Sequence, residues 1–487
     1  MKKKFLSNLF LLLLLNLLIK PFWILGIDRT VQNVVGAQDY GFYFVIFNFS
    51  FLFNILLDFG ITNFNNRNIA QNHHLLNKYF SGIVVIKFLL AVFYTAVTFT
   101  FALLIGFNAA QMNLLGFMCL NQFLLSFILY LRSNISGLLL FRTESFLSVF
   151  DRILMIIICS VLLWGHVTTE HFRIEWFVYA QSAAYFLTAI TALIIVIRKA
   201  SFRKLSWNFP FFIIIMKQSF PFAILVMLMA FYNRIDPVMI NRLLPGQLGE
   251  SEAGIYASAY RLLDAGNMIA YLFAVLLLPL FSNMIKKNEP IVHLAKLSFT
   301  LLIIVSVVVA SGSFFYSYEL MDLLYTDHVP ESAEVFRILM LGFVAISTTY
   351  VFGTLLTANG NLKALNMIAG GGMLLNLSIN FLLVPRMMAV GSAYASVVTQ
   401  FSTALVQVWF ATRVFKFETD FKYLLRLGLF VVGTLLINLL SKYIFVNWIF
   451  NFISMIFFTG ILALALRLIK TGSVLSFLKT KERTNDA

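Results

Sequence analysis

Gly36-Ala37-Gln38-Asp39-Tyr40-Gly41-Phe42-Tyr43 and Gly249-Glu250-Ser251-Glu252-Ala253-Gly254-Ile255-Tyr256 share one pattern: glycine, an acid three residues on, a second glycine, then tyrosine. Each copy has an arginine seven residues before its first glycine, Arg29 and Arg242, and each leads into a long apolar run. Locally, glycines at these positions suit a tight turn with positive φ, and the tyrosines suit a membrane interface. Recurrence of the whole pattern about 210 residues apart predicts an internal duplication.

The surrounding composition says what kind of unit is duplicated. Of 487 residues, 60% are hydrophobic and only 12% charged, and mean hydropathy is +0.89. An ordinary soluble globular chain is excluded. With about 20 residues per crossing, the apolar content allows on the order of fourteen membrane spans. A 19-residue hydropathy window predicts spans near 6–28, 41–58, 81–106, 114–136, 147–165 and 176–197, then 216–243, 253–281, 298–318, 336–358, 364–384 and 389–411, then 427–443 and 447–467. Both copies of the motif therefore precede the second span of a six-span half. Because six is even, the halves run parallel in the membrane, as in transporters built from parallel repeats.

The net charge of +15 fits this topology and not nucleic-acid binding. With the N-terminus inside, about 24 basic residues fall on the cytoplasmic side and about six outside. The longest outer loop, near 319–335, is acidic, with Glu319, Asp322, Asp327, Glu331 and Glu334. Met1-Lys2-Lys3-Lys4 and the apolar run after it read as a retained first helix, since no small-residue cleavage site follows. Cys119 and Cys159 stand in apolar runs without metal-ligand or disulfide spacing. The expected fold is an all-α polytopic membrane protein of about 14 helices: two pseudo-symmetric six-helix lobes, 1–205 and 206–415, followed by two additional helices and a cytoplasmic tail, 416–487.

Charges inside spans are the candidate functional residues, because each costs about 2.5–3.5 kcal/mol at a lipid-facing centre. Lys87, Arg152 and Lys217 lie near cytoplasmic ends, where long side chains reach headgroups. Lys20 shares a helix face with Asn16 and Trp23, a stripe that fits a hydrated cavity. Arg234 adjoins Asn233, and Pro237 predicts a kink beside Asp236. Tyr256, Tyr260, Asp264, Asn267 and Tyr271 form one face of span eight, with Arg261 three residues before Asp264. Ser50, Asn54 and Asp58 align at intervals of four in span two, a pattern equally suited to helix–helix hydrogen bonding. Together they describe a polar, tyrosine-lined, net cationic cavity between the halves, suited to a phosphorylated, hydroxyl-rich cargo. Lys20, Arg29, Arg234, Arg261, Tyr256, Tyr260 and Asn267 are the candidate cargo contacts. Asp58, Asp236 and Asp264 are the candidate carboxylates for coupling to a proton or sodium ion.

Three segments carry a resemblance. Gly36 to Ala70, with Tyr40-Gly41, Asp58-Phe59-Gly60 and Asn66-Arg67-Asn68-Ile69-Ala70, is similar to the start of the polysaccharide transporter family, the Wzx-type flippases. Asp236 to Arg261, with Ala253-Gly254-Ile255-Tyr256 and Ala259-Tyr260-Arg261-Leu262, resembles its seventh and eighth helices, and Asn376 to Thr399, with Asn380, Pro385-Arg386 and Gly391-Ser392-Ala393, resembles a later pair. That family belongs to the multidrug, oligosaccharidyl-lipid and polysaccharide exporter superfamily. The resemblance implies no enzyme, but a flippase of the bacterial inner membrane that carries undecaprenyl-pyrophosphate-linked oligosaccharide, an O-antigen or capsule repeat unit, to the periplasmic leaflet by alternating access. It also implies work beside a polysaccharide polymerase and a chain-length regulator, with membrane lipids around it, no nucleic acid and no bound cofactor. A multidrug cation antiporter would favour lumenal carboxylates over Lys20, Arg234 and Arg261. A membrane polymerase or glycosyltransferase would carry a larger outer loop than the roughly 17 residues available here.

Overall fold

The structure is a computed structural model that describes residues 14–16, 18–62, 65–66, 69, 75–165, 170–199, 209–418 and 420–468. The polar stretch expected to end the first lobe near 205, and Lys2, Lys3, Lys4, Arg67, Arg203 and Lys204, lie outside the described residues. What is described is helical, with no strand. Ten helices are long and apolar enough to cross a membrane, and an eleventh crossing is a helix pair bent by 49°.

Two places where the chain reverses or breaks complete the count. The first is Gly36, at φ +83° and ψ 169°, which interrupts α1 (Arg29–Leu52) and separates the first span from the second. The second lies in α13 (Leu362–Phe415), a 54-residue run broken at Met388 and carrying Pro385. There Ser392 Oγ donates to Asn380 Oδ1 at 2.7 Å, and a Cβ on Gly391 would lie 2.7 Å from the Leu383 carbonyl. Only a chain folded back on itself brings residues twelve apart along a helix into contact. Neither arm at Gly36 is among those eleven, so the two arms add two crossings and the fold-back in α13 adds one, which makes about fourteen spans among the described residues, the first described only in part.

Helix starts follow local chemistry. Asn108 and Gln111 form a reciprocal capping box at α3 (Ala109–Gly137). Asp420 and Asn447 cap α14 (Phe421–Ser441) and α15 (Trp448–Ala465) with side-chain oxygens. The predicted kink falls at Ile235, between α6 (Phe209–Arg234) and α7 (Asp236–Leu243), with Pro237 in the first turn, where its missing N–H costs nothing. The acidic stretch 319–335 is mostly helical, within α10 (Ser317–Leu324) and α11 (Val329–Leu339).

Span two departs from the expected straight helix. α1 ends at Leu52 and a 3₁₀ turn covers Asn54–Leu57, so Ser50, Asn54 and Asp58 do not form one helical stripe. Irregular backbone at membrane depth survives only where side chains satisfy it. Here Tyr94 donates to the Ser50 carbonyl at 2.6 Å, and Lys87 and Ser126 donate to the Leu57 carbonyl at 3.0 and 3.1 Å.

By packing, the chain divides into two units. The first comprises Met1–Ser258 with Tyr325–Asp327 and Leu377–Ser392; the second comprises Ala259–Leu324, His328–Asn376 and Ala393–Ala487. In the second unit α14 and α15 lie against α9 (Val292–Phe315), with Phe430 and Ala463 packed on Ile303, Ile304 and Val307. Polar bonds fix both ends of this contact: Lys296 to Asp420 at 2.5 Å and the Tyr316 hydroxyl to that of Ser441 at 2.7 Å.

Candidate functional site

In the first unit the repeated motif closes on itself. A Cβ on Gly41 would lie 1.8 Å from the Glu250 carbonyl oxygen, and one on Gly254 would lie 1.9 Å from that of Ala37. The second glycines of the motif therefore exist for backbone-to-backbone approach. Positive φ is needed only at Gly36 and, three residues before the second copy, at Gly246. Gln32 donates to the Gly254 carbonyl at 2.9 Å across the same seam. Arg242 is occupied as well, donating to Gln111 Oε1 at 2.6 Å and the Gly106 carbonyl at 3.1 Å while stacking on Phe107.

Lys20 sits where its stripe predicts polar company, but that company comes from its own half. Asn16 Nδ2 donates to Ser148 Oγ at 2.9 Å on α4 (Phe141–Trp164), and the electrostatic neighbours of Lys20 are Arg152, Asp151, Arg132 and Glu144. A π-helical segment, Trp23–Asp28, follows. It adds a residue to the turn and buries Trp23, Ile27 and Asp28 together. The Arg152 guanidinium lies 5.6 Å from the Trp23 ring centroid and 5.9 Å from that of Tyr185 on α5 (Ile174–Ile197), and Asp28, 2% exposed, is one of its charge neighbours. Arg152 is therefore not a residue that reaches for headgroups.

Two of these cations are neutralised and one is not. Arg132 pairs with Glu144 at 2.6 Å and Arg152 with Asp151 at 3.6 Å. Among the described residues the half-buried Lys20 ammonium forms neither an ion pair nor a hydrogen bond. Its charge neighbours are those two arginines and their own carboxylates, Asp151 and Glu144. The sequence signal for the missed partners was present: Glu144, Ser148 and Asp151-Arg152 recur at intervals of three and four and form a polar stripe in span five.

Arg234 lies against α1, with Nη1 3.5 Å from Asn48 Oδ1 and its guanidinium 5.5 Å from the Phe51 ring. Asp236 is fully buried, accepting from the Tyr256 hydroxyl at 2.7 Å and Asn380 Nδ2 at 2.9 Å. Tyr256 is fully buried too, so its ring is packed inside the protein and lines no cavity. Asp58 accepts from Lys87 at 2.5 Å and from both the amide and the hydroxyl of Thr62. Lys87 is 1% exposed, and the expectation that it snorkels is corrected: it is an internal charge, held by Asp58, Ser126 and the Leu57 carbonyl. Lys217 is exposed, and Arg29 is half-buried. Tyr260, Arg261, Asp264 and Asn267 belong to the second unit; Tyr260 is buried and the other three are half-buried. Among the described residues no group of His, Cys, Asp or Glu is placed to hold a metal ion.

Fourteen spans, a duplicated motif and a cationic cluster inside the bundle define a multi-pass membrane protein with the fold of the multidrug, oligosaccharidyl-lipid and polysaccharide transporters. A sequence model described as "Polysaccharide biosynthesis protein" matches residues 5–285, more than half of the chain, and the protein belongs to that family. No curated protein matches it significantly. Among solved structures, the lipid II flippase MurJ in an inward closed conformation is similar over 93% of this chain and 98% of its own, with a TM-score of 0.67 and 14% identity. An inward-facing multidrug resistance MATE family transporter of the MOP superfamily is similar over 81% and 94%, at 0.58 and 11%. A MOP superfamily transporter from Pyrococcus furiosus Vc1 (DSM3638), reported for the reverse polarity of its binding pocket, is similar over 84% and 93%, at 0.55 and 12%.

Proposed function

We propose that the protein is a flippase for a lipid-linked oligosaccharide, moving an undecaprenyl-pyrophosphate-linked O-antigen or capsule unit from the cytoplasmic to the periplasmic leaflet of a bacterial inner membrane. The observation that carries this reading is Lys20, a cation of the first unit with no ion pair of its own among the described residues and with Arg152, Asp151, Arg132 and Glu144 as its charge neighbours. A pyrophosphate would supply the missing negative charge, with Lys20 as a point cation and Arg152 beside the Trp23 and Tyr185 rings. Membership of a polysaccharide biosynthesis family and likeness of fold to a lipid II flippase support the same cargo class.

Movement would proceed by alternating access between the lobes 1–205 and 206–415, with the Gly41–Gly254 seam as one closed gate. Arg29, Arg234, Arg261, Tyr260 and Asn267 are proposed to meet the cargo further along its path. Asp58, Asp236 and Asp264 are the proposed carboxylates for coupling to a proton or sodium ion; Asp58 is held by Lys87, and Asp236 by Tyr256 with Asn380. Both termini are placed in the cytoplasm, and a polymerase and a chain-length regulator are the proposed partners in the membrane.

The test is the leaflet location of lipid-linked oligosaccharide, read with an impermeant sugar-modifying probe in cells lacking the protein and cells carrying it. Cytoplasmic accumulation relieved by the wild-type chain supports the reading. Normal outward delivery without the protein refutes it and directs attention to the multidrug resistance transport named for the MATE structure.

A further inference from the structure

The two arms of α13 enclose an apolar groove of about 350 Å³ that the cationic cluster does not touch. Met367, Gly371 and Leu375 form a stripe at intervals of four on one arm, facing Thr403 and Val406 on the other. A Cβ on Gly371 would meet nothing within 4 Å, and Met367 is 70% exposed, so the groove opens on the surface of the second unit. Both walls end in a cation at the same end. Lys363, one turn before Met367 on its stripe, is exposed. Arg413, two turns beyond Val406, is exposed and stacks 5.0 Å from the Trp409 ring.

We infer that this groove seats the isoprenoid chain of the lipid-linked cargo, with its phosphate at Lys363 and Arg413, as a loading station separate from Lys20. The inference rests on the flippase reading. Depth and charge both favour such an occupant. At 1.5 Å per residue the apolar lining begins about 6 Å from the level of Lys363 and ends about 18 Å from it. That is the depth of one leaflet in a hydrocarbon core of about 30 Å. Lys363, Arg413 and Lys416 are on the side that basic residues assign to the cytoplasm, where the cargo would start. The groove is a single cleft between the two helix arms. That suits one chain joined directly to a phosphate, and a diacyl phospholipid brings two.

The experiment measures binding of radiolabelled undecaprenyl phosphate to the purified full-length chain in detergent micelles, in a Lys20→Ala background so that the cationic cluster does not report. Gly371→Leu puts a side chain into the groove from a position where an added Cβ meets nothing within 4 Å, and Lys363→Ala with Arg413→Ala removes the proposed phosphate contacts. Each is expected to weaken binding at least fivefold, with melting temperature and gel-filtration profile unchanged. Three results would overturn the inference: no binding in the Lys20→Ala background, binding unaffected by either change, or displacement of the probe by dioleoylphosphatidylglycerol as readily as by unlabelled undecaprenyl phosphate. Failure of the flippase reading looks different, since the wild-type chain would then bind the probe at the groove and still deliver no oligosaccharide outward.

Discussion

Gly41 and Gly254, equivalent glycines in the two copies of one motif, line one backbone seam: a Cβ on Gly41 would lie 2.6 Å from the Gly254 nitrogen and 1.8 Å from the Glu250 carbonyl oxygen, and one on Gly254 would lie 1.9 Å from that of Ala37. Two helices approach this closely in a membrane only where small residues remove the intervening side chains. The seam therefore predicts its own sensitivity. Gly41→Ala or Gly254→Ala should destabilise the protein by about 1–3 kcal/mol through overpacking and reduce glycan export. Gly428→Ala and Gly460→Ala, where an added Cβ meets nothing within 4 Å, should be neutral. Melting temperatures in detergent, set beside surface glycan in complemented cells, compare the four directly.

Lys87 and Asp58 form an internal ion pair at the break in span two. Removing one partner strands the other, at a cost of about 3–5 kcal/mol for a buried pair. Lys87→Met and Asp58→Leu should each lower the melting temperature sharply, and the double variant should recover much of the loss. Additive losses in that double-mutant cycle would show that the two charges act independently.

Much of this was legible in the sequence, and the parts that were not have identifiable causes. The span count, the duplication and the kink beside Pro237 followed from hydropathy, repetition and proline chemistry, which are local properties. The break after Leu52 was missed because its support comes from Tyr94, Lys87 and Ser126, up to 69 residues away. Lys20 was identifiable from its own stripe with Asn16 and Trp23, but its partnership with Arg152 required knowing which helix it faces. Tyr256 and Asp236 looked like cavity residues because hydropathy marks a polar side chain as costly without saying whether another side chain satisfies it.

Tyr256 and Asp236 offer a clean test of that distinction. Tyr256→Phe removes one hydrogen bond to a buried carboxylate and should cost about 1.5–3 kcal/mol of stability, while cargo specificity stays unchanged. A shift in cargo preference at unchanged melting temperature would return Tyr256 to the binding surface.

At the start of α14, the Lys296 ammonium and the Tyr423 amide hold the Asp420 carboxyl below its ordinary range. A depressed acid stabilises the folded state at pH values above its unfolded pKa, near 4, and loses that contribution as pH falls through its folded value. The protection of the first-turn amides of α14, read as the exchange rate relative to the intrinsic amide rate at each pH, should therefore be constant from about pH 5 to 8 and fall below about pH 4. Asp420→Asn should abolish this pH dependence.

Arg152 separates charge from geometry. Arg152→Lys keeps the cation but loses the planar stack on Trp23 and Tyr185, a contribution of about 0.5–2 kcal/mol. Export should fall by several-fold, and Arg152→Ala should reduce it further. Equal export by both variants would show that the plane has no role.

The most direct measurement uses proteoliposomes containing the purified protein and a pyrophosphate-linked oligosaccharide lipid, with an impermeant probe reporting sugar on the far leaflet. The wild-type chain is expected to translocate the lipid, and Lys20→Ala to do so at least tenfold more slowly, with both proteins equally folded. Equal rates for the two would contradict the assignment of the unpaired lysine as the pyrophosphate site, and no translocation by the wild-type chain under an imposed proton or sodium gradient would contradict the flippase reading itself.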